Sequence, residues 1–327
     1  MRVWLDVDTG VDDAHALLLA VRATELDLVG VSCVAGNGTI DDVVAATLKV
    51  LDAAGARKDL PVARGFARPL IERPHPCPAI HGSDCLGDLS PPLPHSMRSV
   101  CSSHAVDALL DALRAAARSE KLALVALAPL TNIAAALRRD PAACAAGLTR
   151  VVWMGGAAFS GGNASAWGEA NAAYDPEAAH IVITTLARLG VPLTMYTWDV
   201  YLKVAFSAAE ARAVRGEAPW SRLARRLLRR DMAHWKSDSA QIGDAGAVAI
   251  LLAPHAATVR RMHVAVELSG RATRGMTVVD ARGFAPPPPD APMLPPNVDV
   301  VVDVDAAVLK RVFARAVFDD ASRAAAL

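Results

Sequence analysis

Short apolar runs alternate with amphipathic segments through the first two-thirds of the chain. Residues 2–7 and 27–34 carry the near-continuous apolar run of a buried strand, and residues 13–23 and 41–54 carry the spacing of an amphipathic helix. The alternation resumes with a strand at 122–127, a helix opening near Leu130, a strand at 151–154, a helix after the Asp175-Pro176 start signal and a strand at 192–197. Strands separated by helices in this way lie parallel and are joined by crossovers. The expected fold is therefore α/β, with a mostly parallel central sheet of Rossmann-like, doubly wound topology. From about 207 to 253 the pattern is helical throughout; strands are expected again near 262–268, 276–280 and 298–304, then a helix beginning at Asp305. Two proline-rich stretches, 69–94 and 286–296, can join neither a ladder nor a helix interior and are expected as loops. With no repeat and no linker in view, residues 1–327 are expected to form a single domain with extra helices and strands toward the C-terminal end.

Composition narrows the partners. With 327 residues, 53% of them hydrophobic, the chain can bury a large core. Its 34 basic and 34 acidic side chains cancel, which leaves no electrostatic footprint for a nucleic acid or an anionic membrane, so a small neutral substrate is expected. Arg225, Arg226, Arg229 and Arg230 recur at helical spacing and are expected as a solvated face or a subunit contact. Five scattered cysteines without a CxxC pair fit neither a disulfide framework nor a zinc site, so reduced thiols in a cytoplasmic protein are expected. Neither a signal-peptide pattern after Met1 nor an uncharged apolar run long enough for a membrane span is present in the sequence.

The candidate chemistry begins at once. Residues 3–13 read as a strand, a tight turn and the start of a helix, and they carry Asp6, Asp8, Asp12 and Asp13. That places four carboxylates at the carboxyl edge of a parallel sheet, where open α/β folds bind ligands. Like charges so close raise one another's pKa unless a cation sits among them, and hard oxygen donors point to calcium or magnesium. Helix capping accounts for one or two of these aspartates and leaves the others without a reason. Asp6-x-Asp8-Thr9 also matches the nucleophile motif of a haloacid dehalogenase-type phosphatase. That reading calls for a second metal carboxylate soon after a later Gly-Asp, and Gly243-Asp244 is followed only by Ala, Gly, Ala, Val, Ala and Ile.

Further motifs follow in order: Ala35-Gly36-Asn37, His81-Gly82-x-Asp84-x-Leu86-Gly87, Pro129-Leu130-Thr131-Asn132, Met154-Gly155-Gly156, then Asn163, Glu169, Asn171 and Asp175-Pro176, Asp244 and finally Gly275 to Asp280. Together with the Asp-x-Asp-x-Gly-x-Asp-Asp opening from Asp6 to Asp13, this series resembles the inosine-uridine preferring nucleoside hydrolase family over nearly the whole chain. The resemblance implies a calcium-dependent ribonucleoside N-ribohydrolase, as a homodimer or homotetramer. Calcium would be held by Asp8, Asp13, Asp244 and the backbone carbonyl of Leu127. Asp12 would be the general base that takes a proton from the attacking water, with Asp6 as support beneath. Asn37 and Asn171 would hold the lower ribose hydroxyls, and Asn163 and Glu169 the 5′ hydroxyl.

The chain also departs from that pattern. The familiar members carry a histidine, thought to protonate the departing base, immediately before the last calcium aspartate; this chain has Gly243. His81, in the loop motif, and His234, on the segment before Asp244, are the candidate replacements. His234, Trp235, Tyr201 and Trp198 are candidates for the base pocket, and Cys85 replaces a glycine of the loop motif. The missing histidine keeps open a nucleoside-binding protein without efficient turnover, against which stands Asp12, because binding alone needs no base.

Overall fold

The computed structural model describes residues 1–282, 289–290 and 292–318. The central sheet has eight strands. Six come from the alternating part of the chain: β1 (Arg2–Val7), β2 (Asp27–Cys33), β3 (Val62–Arg64), β4 (Leu122–Ala126), β5 (Leu148–Met154) and β6 (Leu193–Tyr196). Then come β7 (Ala205–Ser207) and β8 (Ser239–Gln241), which pair only with each other, β9 (Ala257–Met262), the separate pair β10 (Val264–Val266) and β11 (Thr277–Val279), and β12 (Val298–Val304). The sheet order is β3-β2-β1-β4-β5-β6-β12-β9, parallel except for β9, which runs antiparallel to β12. The doubly wound expectation holds, and the order reverses between β1 and β4. Crossovers leave to opposite faces at such a point and open a crevice at the carboxyl ends of the strands.

Two apolar layers sandwich the sheet. Val3, Leu5 and Val7 of β1 face the core shared with helices Val11–Arg22, Ile40–Ala54, Ala245–Leu252 and Ala306–Val317. Trp4 points to the other face, into the core made with helices Ala105–Ala116, Thr131–Arg139 and Pro176–Leu189. This is the two-residue alternation of a strand buried on both sides, which makes the sequence read as a continuous apolar run.

Several expectations need correction. The stretch from 207 to 253 is not helical throughout: it holds helices Ala208–Ala213, Pro219–Trp235 and Ala245–Leu252, and between the last two lies β8, which pairs back onto β7. Three residues are too few to show a strand period. The strand expected at 262–268 breaks at His263, with β9 in the central sheet and β10 in the small pair. Strand β3 and helices Ala105–Ala116 and Pro141–Gly147 are additions to the expected elements, and the first proline-rich loop holds a short helix, Pro78–His81, with Pro78 in its first turn, where a missing N–H costs nothing. Part of the second proline-rich stretch lies outside the described residues. No helix among the described residues is long and apolar enough to cross a membrane.

Candidate active site

Asp6 and Asp8 stand at and just beyond the end of β1, and Asp12 and Asp13 begin the next helix, so local chain geometry alone delivers four carboxylates to the crevice. They do not play one role. Asp6 is fully buried; its Oδ1 accepts from Asn132 Nδ2 at 2.8 Å and from the Ser32 hydroxyl, which itself accepts from Trp4 Nε1 at 3.0 Å. Burial pushes its carboxyl up to about 7, partly offset by those two donors. Asp8 Oδ2 accepts the backbone N–H of Asn37 at 2.8 Å, and a Cβ on Gly36 would stand 2.0 Å from that oxygen, so the turn needs glycine there. Asp13 Oδ2 accepts from Gly10 N–H at 2.9 Å and from Asn37 Nδ2 at 3.2 Å.

The remaining oxygens are the informative ones. Asp8 Oδ1, Asp12 Oδ1, Asp13 Oδ1 and Asp244 Oδ1 are all buried with no hydrogen-bond partner among the described residues. Asp12, Asp13 and Asp244 each offer an oxygen within 4.8 Å of the others. Burial first, and then neighbouring carboxylates, pushes Asp8, Asp13 and Asp244 well above the ordinary carboxylate range. Four unpartnered buried oxygens carry a desolvation cost that the protein itself does not offset, and a hard divalent cation would offset it. Oxygens on opposite sides of one calcium ion lie about 5 Å apart, which suits this spacing. The carbonyl of Leu127, directly after β4, accepts from Asn171 Nδ2 at 3.0 Å, and Leu127 lines the same cavity. The grouping differs from the expected ligand set in one respect: the close trio contains Asp12 where Asp8 was expected.

Above these carboxylates lies a cavity of about 440 Å³. Asp12, Asn37, His81, Leu127, Asn163, Glu169, Asn171 and Asp244 all line it, while Asp8 and Asp13 lie buried outside its lining. Glu169 caps helix Ala170–Tyr174: Oε1 accepts from Asn171 N–H at 2.9 Å, and Oε2 from Gly156 N–H at 2.7 Å and Ala172 N–H at 3.1 Å. Its burial raises its pKa against those donors. Asn171 Nδ2 spans the carbonyls of Leu127 and Met154, the second at 3.1 Å, which leaves Oδ1 available. Asn163 Oδ1 accepts from Ala170 N–H at 2.7 Å, which leaves its Nδ2 available. His81 Nδ1 accepts from Val11 N–H at 3.3 Å and lies 3.9 Å from Asp12 Oδ1. Burial lowers its pKa, so the ring is neutral with its proton on Nε2.

His234 does not line the cavity; its ring packs edge-on against Trp235 at 4.7 Å, and Trp235 is the residue that faces the space. Trp198 and Tyr201 line it too, and the Tyr201 hydroxyl donates to Asp12 Oδ2 at 2.9 Å. Sequence reading missed Arg230 and Asp231 as lining residues. Arg230, expected on a solvated or subunit-contacting face, instead turns inward: it donates to Asp231 at 3.1 Å, to the Gly87 carbonyl at 3.3 Å and to the Ile80 carbonyl. Burial raises Asp231 to about 6. The one available signal was Leu223, Leu227 and Leu228, which mark the packed face of helix Pro219–Trp235 and so bound the position of Arg230 at its edge.

Residues 3–311 match the family model described as inosine-uridine preferring nucleoside hydrolase. The chain is 34% identical over 307 residues to the non-specific ribonucleoside hydrolase RihC of Escherichia coli, covering 93% of each. Among solved structures, a purine-preferring ribonucleoside hydrolase from Gardnerella vaginalis superposes with a TM-score of 0.82 at 27% identity over the whole of both chains. An inosine-guanosine nucleoside hydrolase superposes with a TM-score of 0.84 at 27% identity, covering 97% of this chain and 98% of the other. The phosphatase motif, confined to the first turn, has no such extent. From the converging carboxylates to the whole-chain match, the conclusion is that this chain belongs to the inosine-uridine preferring nucleoside hydrolase family, metal-dependent enzymes that hydrolyse the N-glycosyl bond of ribonucleosides.

Proposed function

We propose that the cation is calcium, that Asp8, Asp13, Asp244 and the Leu127 carbonyl hold it, and that Asp12 is the general base. The observation that carries this reading is the set of four buried, unpartnered carboxylate oxygens beneath one cavity. When bound, such a cation supplies positive charge that makes water more acidic and gives vicinal hydroxyls a point of attachment. Asp12 keeps Oδ1 free of protein hydrogen bonds and faces the cavity, which suits it to accept the proton of the attacking water. Asn37 and the free Oδ1 of Asn171 hold the lower ribose hydroxyls; the free amide of Asn163 and the carboxylate of Glu169 hold the 5′ hydroxyl. A substrate without the 2′ hydroxyl leaves buried polar groups unpaired and is discriminated against. As the C–N bond breaks, the ribosyl group gains oxocarbenium character, and the anionic floor stabilises it. His81 is the candidate donor to the departing base: its neutral ring offers a hydrogen bond from Nε2–H, and full proton transfer calls for the imidazolium form, which the nearby Asp12 carboxylate favours against burial. A homodimer or homotetramer in the cytoplasm completes the reading; the five free cysteines suit the reducing compartment.

Elemental analysis of protein purified without chelator, combined with reducing-sugar release from a nucleoside panel before and after EGTA, tests the assignment. Stoichiometric calcium and loss of turnover in EGTA, restored by calcium, are expected. A stoichiometric transition metal, or full turnover in excess EGTA, would sink it.

A further inference from the structure

Gly243 precedes Asp244 with φ at +46°, in the left-handed region. A Cβ built there would stand 2.4 Å from Cε2 of Tyr201 and 2.5 Å from its hydroxyl oxygen. The Tyr201 ring therefore fills the volume into which any side chain at 243 would project. Tyr201 arrives from a different part of the chain, the short helix Trp198–Tyr201 after β6, and its ring leans on Trp198 at 4.7 Å. Its hydroxyl donates to Asp12 Oδ2 at 2.9 Å, while Asp12 Oδ1 is buried with no partner. Burial, Asp12 and Asp244 together hold the phenol well above its ordinary pKa, so the hydroxyl remains a donor and Asp12 the acceptor.

We propose that Tyr201 is the positioning residue of the general base, and that the phenol takes the space a side chain at 243 would need, which adds to the preference for glycine that the left-handed backbone already sets there. The hydroxyl anchors Asp12 through Oδ2 and thereby turns Oδ1 toward the position of the attacking water. A carboxylate without that anchor rotates among several orientations, of which few point a lone pair at the water. The inference rests on Asp12 being the base, and its test separates the two ideas.

Tyr201→Phe keeps the ring against Gly243 and deletes only the donor. Its kcat on inosine is expected to fall about tenfold or more, with KM and calcium affinity by titration calorimetry each within about threefold of the unaltered chain. Gly243→Ala pushes a methyl group into the ring and is expected to lose kcat by a similar factor. In a Tyr201→Ala background the same Gly243→Ala change is expected to cost several-fold less in kcat than in the unaltered chain, because ring and donor are already gone and only the strain of an L side chain at the left-handed position remains. Tyr201→Phe with kcat within about twofold of the unaltered chain, a loss confined to KM, or losses at 201 and 243 that multiply would each overturn the proposal. Asp12→Asn is measured alongside: if it keeps full turnover, the reading of the base fails as well, whereas if it is inactive and Tyr201→Phe is not, only the role of Tyr201 falls.

Discussion

The floor of the cavity and the wall facing it are built on different principles. The floor comes from the end of β1, the turn after it and the starts of helices Val11–Arg22 and Ala245–Leu252; Asp6, Asp8, Asp13 and Asp244 are nearly or wholly buried there, and most of their hydrogen-bond donors are backbone or amide N–H groups. The wall comes from helix Pro219–Trp235, the short helix Trp198–Tyr201 and the loop carrying His81. It is made of part-exposed side chains such as Trp198, Trp235 and Arg230, tied together by Arg230 bonds to the Ile80 and Gly87 carbonyls. A buried floor concentrates charge and fixes the chemistry. A wall of long side chains bonded across loops can tolerate different occupants, which suits it to meet the base.

The sharpest test of this contrast is the cost of the floor without a cation. Native Asp6, Asp8, Asp13 and Asp244 are all raised above the unfolded carboxyl range, Asp6 to about 7. The native state therefore holds protons that the unfolded chain has lost, and metal-free stability falls as pH rises through the native values. Every tenfold difference in proton affinity between the native and unfolded chain is worth about 1.4 kcal/mol, so Asp6 alone, raised from 3.8 to about 7, gives a loss of a few kcal/mol, and the other three add in the same direction. His15, lowered to about 4 by burial, works in the opposite sense between about 4 and 6.5. Denaturant melts should therefore compare pH 7.5 with pH 8.5, in EGTA and in calcium, both above the range where His15 matters. Stability is expected to fall with pH in EGTA and to stay nearly level in calcium; equal slopes would break the picture of a floor that needs a cation.

Within the floor, Asp12 and Asp13 should separate. Asp12→Asn is expected to lose about a hundredfold or more in kcat with ribose affinity within about tenfold, the signature of a lost base, whereas Asp13→Asn should lose calcium binding itself. Because Asp12 stands in the close oxygen trio with Asp13 and Asp244, calcium titration of both variants is the deciding measurement. If Asp12→Asn abolishes calcium binding as Asp13→Asn does, Asp12 is a ligand and the base lies elsewhere.

On the wall, His81→Ala should lower kcat on natural nucleosides about tenfold or more and spare p-nitrophenyl riboside, whose leaving group needs no proton. Equal losses on both substrates would show that His81 acts through the floor, which it also touches at Val11 and near Asp12. The smallest effect is expected at Arg230: Arg230→Met removes the bonds to Ile80 and Gly87 and should raise KM about threefold with little change in kcat. A large kcat loss there would mean that wall and floor are one unit.

The contrast also explains what could be read in advance. Most of the floor was legible because Asp6 to Asp13 are near one another in the chain, spanning a strand end, a turn and a helix start, whereas Asp244, far along the chain, was legible only through the ordered motifs of the family resemblance. The doubly wound topology was legible because strands buried on both faces must be apolar throughout. The place of His234 was not legible for a reason of geometry: the spacing of a helix says which residues share a side, and only the packing of helix Pro219–Trp235 decides that Trp235 lines the cavity while His234 leans on it.

By itself, then, the sequence determined the fold class, the acidic floor and the family, because each is written in local periodicity or in ordered motifs. Only the tertiary structure decided that Tyr201 reaches Asp12 across 189 residues, that its ring takes the space above Gly243, and that Arg230 bonds to a loop 143 residues away. Contacts of that span depend on how whole elements pack, and a linear pattern of apolar and polar positions carries the direction of each face but not its partner.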